Sequence, residues 1–103
     1  MARKDERQWM SAISRIGCIV CYLAGHPGTP GEVHHILRGG RRISHLHTIC
    51  LCSPGHHRNG DNKVKISRHP FKLRFESTYG TEEALLQKTK GLVVALAAQR
   101  LAA

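Results

Sequence analysis

The residues of this chain that could do chemistry are crowded into one stretch. All four cysteines lie between Cys18 and Cys52, and all eight histidines between His26 and His69. Two histidine doublets stand out. One is in Glu32-Val33-His34-His35-Ile36; the other follows Leu51 in the run Cys52-Ser53-Pro54-Gly55-His56-His57-Arg58. Imidazole and thiolate are the ligands that zinc and its neighbours prefer. Their density argues for metal, and the charge around them argues for metal chemistry on a phosphodiester. From Arg38 to Arg74 nine basic residues stand against one acid, Asp61, in a chain of net charge +9. A positive field of this kind attracts polyanions and makes binding salt-dependent.

The ligands fall into two sets. Cys18 and Cys21 have the spacing of a zinc half-site. The second half is Cys52 with His56, which would flank a turn, or Cys50 with Cys52, which strand alternation would put on one face. The first pairing is preferred, with Cys50 then a small buried hydrophobe. Zinc there would serve folding. The other set starts at the His34-His35 doublet. Successive strand residues face opposite sides, so these two do not easily share one ion. One metal ligand and one group working beside the metal is the better reading. His57 could approach the same ion, with His69 or Asp61 as third ligand.

The elements that must position these residues follow from periodicity. Trp9, Ile13 and Ile16 at helical spacing predict a helix over residues 3–16, ended by Gly17. Cys18 to Cys21 reads as a tight turn that aims two thiols at one point, and residues 25–31 as a loop. Strands are expected at Glu32–Leu37 and Thr48–Leu51, separated by a basic flexible loop, Arg38 to Arg42. The Ser53-Pro54-Gly55 turn should lead into a short helix that carries His56 and His57, broken at Asn59-Gly60. A further helix is expected over His69–Tyr79, with Pro70 in its first turn and Phe71 and Phe75 one turn apart. Thr81 is a candidate N-cap for a last helix, about 81–101, with Glu82 and Glu83 in the first turn. Leu85, Leu92 and Leu96 form its apolar stripe, as core or as a dimer surface.

A chain of 103 residues makes one small domain, 1–103, whose limited core would gain from a metal staple. No stretch is apolar enough to span a membrane, and the charged N-terminus lacks the apolar run of a signal peptide. A cytoplasmic protein is expected, in which cysteines mixed with histidines read as ligands rather than disulfides. Besides an enzyme, the composition admits a non-catalytic zinc-binding DNA adaptor. It speaks against a single-stranded RNA binder, since only five aromatics are present and few lie near the basic stretch.

The string Val33-His34-His35-Ile36, a Gly/Arg-rich stretch, then Leu51-Cys52 before His56-His57-Arg58 resembles the HNH endonuclease superfamily. With Cys18/Cys21, His69 and Phe75-Glu76…Tyr79-Gly80, it is most similar to the phage recombination-enhancement (Ref) nucleases, over about residues 15–80. The resemblance implies an α+β fold: a small ββα-metal (His-Me finger) core with an N-terminal helix, a zinc knuckle and C-terminal helices. It implies a metal-dependent DNA endonuclease of weak sequence preference. His34, His57 and His69 would hold a catalytic Mg2+, Mn2+ or Zn2+. His35 would be the general base. Cys18, Cys21, Cys52 and His56 would hold structural Zn2+. His47 stands where the middle Asn of the HNH name is found, as a brace, an extra ligand or a phosphate contact. Arg58 or Arg42 would clamp the scissile phosphate, and Arg38, Arg41, Arg42, Lys63 and Lys65 would contact the DNA backbone. A RecA filament in the bacterial host cell is a partner implied by resemblance alone.

Overall fold

Among the described residues, strand Thr48–Leu51 is the one element buried at every position, and helices and a partner strand pack around it. The computed structural model describes residues 2–53, 55–58, 66–69 and 71–102, without the side chains of the last two. Helix α1, Lys4–Ile16, carries Ile13 and Ile16 on its buried face. Trp9 on that face donates its indole N–H to the Thr48 hydroxyl at 3.0 Å. Glu6 satisfies the Arg3 amide at the helix start, 2.9 Å away. Gly17 ends α1 at φ 83°, and a Cβ there would come within 2.5 Å of the Thr29 carbonyl oxygen. Only glycine fits both demands.

Where a turn was expected at Cys18 to Cys21, Cys18 instead caps a short helix, α2, Ile19–Leu23. The outcome for the thiols is the same, because one helical turn also brings them together. The expected strand Glu32–Leu37 is broken in two. β1, Glu32–His35, pairs antiparallel with β4, Thr48–Leu51, with Glu32 opposite Leu51 and His35 opposite Thr48. Ile36 is buried and its amide still donates to the His47 carbonyl at 3.0 Å, in register with that pairing, before the chain passes into a second ribbon. The expected flexible loop is a tight hairpin: β2, Leu37–Arg38, pairs with β3, Arg41–Arg42. Gly39 and Gly40 have φ of 60° and 76°, which suits the two-residue turn of a twisted ribbon.

The helix expected to carry His56 and His57 is not present at those residues. The His56 and His57 carbonyls accept from the Arg68 and His69 amides, 2.7 and 3.0 Å away. Those carbonyls are therefore not passed along a helix, and Arg58 instead bridges His69 in parallel. The same bridge delays the next helix: α3 runs Lys72–Tyr79 rather than from His69. Lys63, Lys65, Asp61, Asn59-Gly60 and Pro70 lie outside the described residues. Helix α4, Glu82–Ala102, begins as expected, with the Thr81 hydroxyl accepting from the Ala84 amide at 3.1 Å.

The core joins Ile19, Ile49, Leu51, Phe75, Leu85 and Leu86, with Trp9, Tyr79 and Leu92 packed against it. Each buried Leu or Ile side chain contributes about 1.5–3 kcal/mol. Along the α4 stripe Leu85 is core, Leu92 packs against the core and Leu96 is half-buried. Among the described residues, two short sheets and four helices make a small α+β architecture. No helix among the described residues is long and apolar enough to cross a membrane.

Candidate metal centres

Four side chains from three parts of the chain converge beneath α2. Cys18 and Cys21 come from the cap and first turn of α2, Cys52 from the end of β4, and His56 from the turn after it. The Cys18, Cys21 and Cys52 sulfurs lie 3.4, 3.4 and 3.3 Å from His56 Nδ1, and Cys21 and Cys52 are 3.8 Å apart. One ring nitrogen cannot serve three thiols as a hydrogen-bond partner. Metal bonds of about 2.3 Å to sulfur and about 2.0 Å to nitrogen at tetrahedral angles give S···N near ~3.5 Å and S···S near ~3.8 Å. The donor set and its spacing therefore fit a zinc ion. Burial pushes the Cys18 thiol up to about 12, so thiolates packed here need a cation among them. The knuckle is braced from outside: the His56 ring stands edge-on to Tyr79 at 4.8 Å. The His56 amide points at Cys52 Sγ, 3.4 Å away. Cys50 is also buried but is not part of this group; its sulfur lies against Gly31.

The second cluster holds His34, His57 and His69, one nitrogen of each within 4.8 Å of the others. Their rings meet edge to face at 5.0–5.3 Å. His34 comes from the middle of β1, and the bridge between Arg58 and His69 brings the other two alongside. Two ligand candidates are held from behind by carboxylates. His34 Nε2 bonds Glu82 of α4 at 2.9 Å, and His57 Nδ1 bonds Glu32. A carboxylate on one ring nitrogen fixes the tautomer and orientation of the other, as around many metal-bound histidines. Glu32 is in turn gripped by the Arg58 fork, with two N–H···O distances of 2.8 Å. Arg58 first and His57 second hold the Glu32 carboxyl down at about 2. Burial would raise Glu82, but its bonds from His34 and Arg68 outweigh that and hold it at about 2. Burial foremost, with nearby positive charge, keeps His57 and His69 below the usual imidazole range. Neutral imidazoles with lone pairs available are what a cation needs.

His34, His57 and His69 line a cleft of about 400 Å³ together with His35, Arg42 and Arg58. His35 is on the strand face opposite to His34, half-buried, and bonded through Nε2 to His45 Nδ1 at 2.8 Å. Burial first, then Arg42, lowers its pKa. Arg42 reaches the cleft from β3, whereas Arg38 and Arg41 stay on the exposed hairpin, Arg38 3.6 Å from Glu83. His47 turns elsewhere: its Nε2 bonds Glu83, and it lines a separate depression beside Trp9 and Lys90.

Three residues here escaped the sequence reading. Glu32 had a usable signal, since it precedes His34 by two on a strand and so shares its face. Glu82 had none, being 48 positions from the ring it holds. His45 was one histidine among eight, and only the loop geometry shows its contact with His35.

No curated protein matches the sequence. The family model described as recombination enhancement, RecA-dependent nuclease matches residues 2–94, a span that holds both clusters and the two glutamates, Glu32 and Glu82, that support the histidines of the second. The chain belongs to that family of RecA-dependent recombination-enhancement nucleases.

Proposed function

We propose that this protein is a metal-dependent DNA endonuclease of the HNH type, with residues 1–103 acting as one nuclease domain. It would hydrolyse phosphodiester bonds with one catalytic ion and weak sequence preference, on DNA engaged by a RecA filament. The observation that carries this reading is the cleft itself. Three convergent imidazoles, two of them oriented by carboxylates, stand beside a fourth imidazole on a different strand face and an arginine.

His34, His57 and His69 would hold the ion, which when bound stabilises negative charge developing on phosphate oxygens. The protein's own residues supply the rest. His35, neutral near pH 7, accepts a proton from the attacking water at Nδ1, because its Nε2 is already engaged by His45. Of the two arginines that could clamp the phosphate, Arg42 is the better placed. Arg58 lines the cleft, but its fork is taken by Glu32, and using it on phosphate would release the carboxylate that orients His57. The hairpin Arg38 and Arg41 would contact the duplex backbone, and such contacts position without reading sequence. The Cys18, Cys21, Cys52 and His56 zinc site would staple α2 to the end of β4.

A supercoiled plasmid, the purified protein, and Mg2+, Mn2+ or Zn2+ in turn, each with and without RecA filament, make the test. Metal-dependent nicking or cutting is expected, strongest with the filament. Binding without cleavage under every condition would instead favour a zinc-containing DNA adaptor.

A further inference from the structure

One histidine next to the cleft has no role in the reading above beyond its contact. His45 lies behind His35, outside the cleft lining, with its Nδ1 2.8 Å from His35 Nε2 and the rings edge to face at 5.0 Å. Its backbone is held from both sides. The His45 amide donates to Glu6 Oε2 at 3.2 Å, and the His45 carbonyl accepts from the Thr48 hydroxyl at 2.8 Å. The neighbouring Ser44 hydroxyl donates to the same Glu6 oxygen at 3.1 Å. Glu6 is buried in α1 and accepts the Arg3 amide through its other oxygen. The ring against His35 is thus anchored to the first helix and to the buried strand. His47, for which the resemblance offered a brace, an extra ligand or a phosphate contact, has its ring on Glu83 and outside the cleft lining.

We infer that His45 is the positioning residue of the base: its Nδ1 accepts the Nε2 hydrogen of His35 and so keeps His35 Nδ1 lone-paired toward the water. The inference rests on the nuclease reading. The hydrogen bond can run in two senses, and only one permits base chemistry. If His45 donated, neutral His35 would carry its proton on Nδ1 and could accept none from water there. With His45 accepting, the proton on His35 Nε2 stays put before and after Nδ1 takes a second one. The bond then survives proton transfer and also stabilises the imidazolium.

Two variants of equal shape separate this role from packing. Asn at position 45 places a carbonyl oxygen close to where Nδ1 lies, while Leu places a methyl there. In the metal-supplemented plasmid assay, His45→Asn is expected to stay within about threefold of wild-type kcat. His45→Leu should lose roughly tenfold to a hundredfold in kcat, with KM for DNA and zinc content unchanged. By proton NMR, a downfield His35 Nε2 hydrogen should be present in wild type and His45→Asn and absent in His45→Leu. Wild-type kcat in His45→Leu, or equal loss in both variants, overturns the positioning role and leaves the nuclease reading standing. A wild-type protein that cuts no DNA under any metal overturns the nuclease reading, and the role with it.

Discussion

At the scale of residues, the informative feature is that each histidine doublet is split between environments. His34 and His35 are neighbours in sequence and lie on opposite faces of β1, one against Glu82 and one against His45. His56 turns to three sulfurs while His57 turns to Glu32 and His34. The first split follows from strand geometry. The second depends on the turn after Cys52, and no periodicity describes it. The sharpest residue-level prediction concerns His35. His35→Ala should bind DNA and metal as wild type does and lose at least roughly a hundredfold in cleavage rate, measured by plasmid nicking alongside metal analysis. Cleavage at the wild-type rate would falsify its role as base.

Elements bring the second set of predictions. The β2–β3 hairpin was legible as basic and glycine-rich, but its order was not, because the Gly39-Gly40 dihedrals that close the ribbon are invisible in composition. If Arg41 contacts a DNA phosphate, Arg41→Ala should lower the slope of log binding constant against log salt by about 0.9, as read by fluorescence anisotropy. An unchanged slope removes Arg41 from the interface. Helix α1 contributes through Glu6, which ties it to the Ser44-His45 loop. The Arg3 amide, foremost, and the Ser44 and His45 donors hold the Glu6 carboxyl below its ordinary range. A carboxyl depressed in the folded state stabilises fully above its unfolded pKa, and that share is lost as pH falls through the lower folded value. Glu6→Gln should therefore flatten the loss of stability on acidification below the ordinary carboxylate range. Urea melts of both proteins along that pH series check this, and parallel curves would contradict it.

For the whole molecule, the question is what holds so small a core together. The Cys18, Cys21, Cys52 and His56 cluster joins α2 to the end of β4 and stands against Tyr79 of α3. If zinc occupies it, the free energy of metal binding is part of the folding free energy. Cys18→Ala should lose one zinc per chain and melt at lower temperature. Even ~2 kcal/mol corresponds to roughly 8–16 °C in a domain of this size. Zinc analysis and thermal unfolding measure both, and an unchanged zinc content would remove Cys18 from the site.

By itself the sequence determined the chemistry available and most of the elements that carry it. Ligand types, local charge, the Thr48–Leu51 strand, α1 and the start of α4 all follow from residue type and short-range period, which act within a few positions. The tertiary structure decided which ligands meet. His69 joins His57 through a bridge that replaces two expected helical segments, Glu82 reaches His34 across 48 positions, and His45 reaches His35 because α1 holds its loop. The physical reason is that hydrogen bonds across the fold compete with local helix bonds for the same carbonyls and amides. The winner depends on packing between distant segments, which no local period encodes.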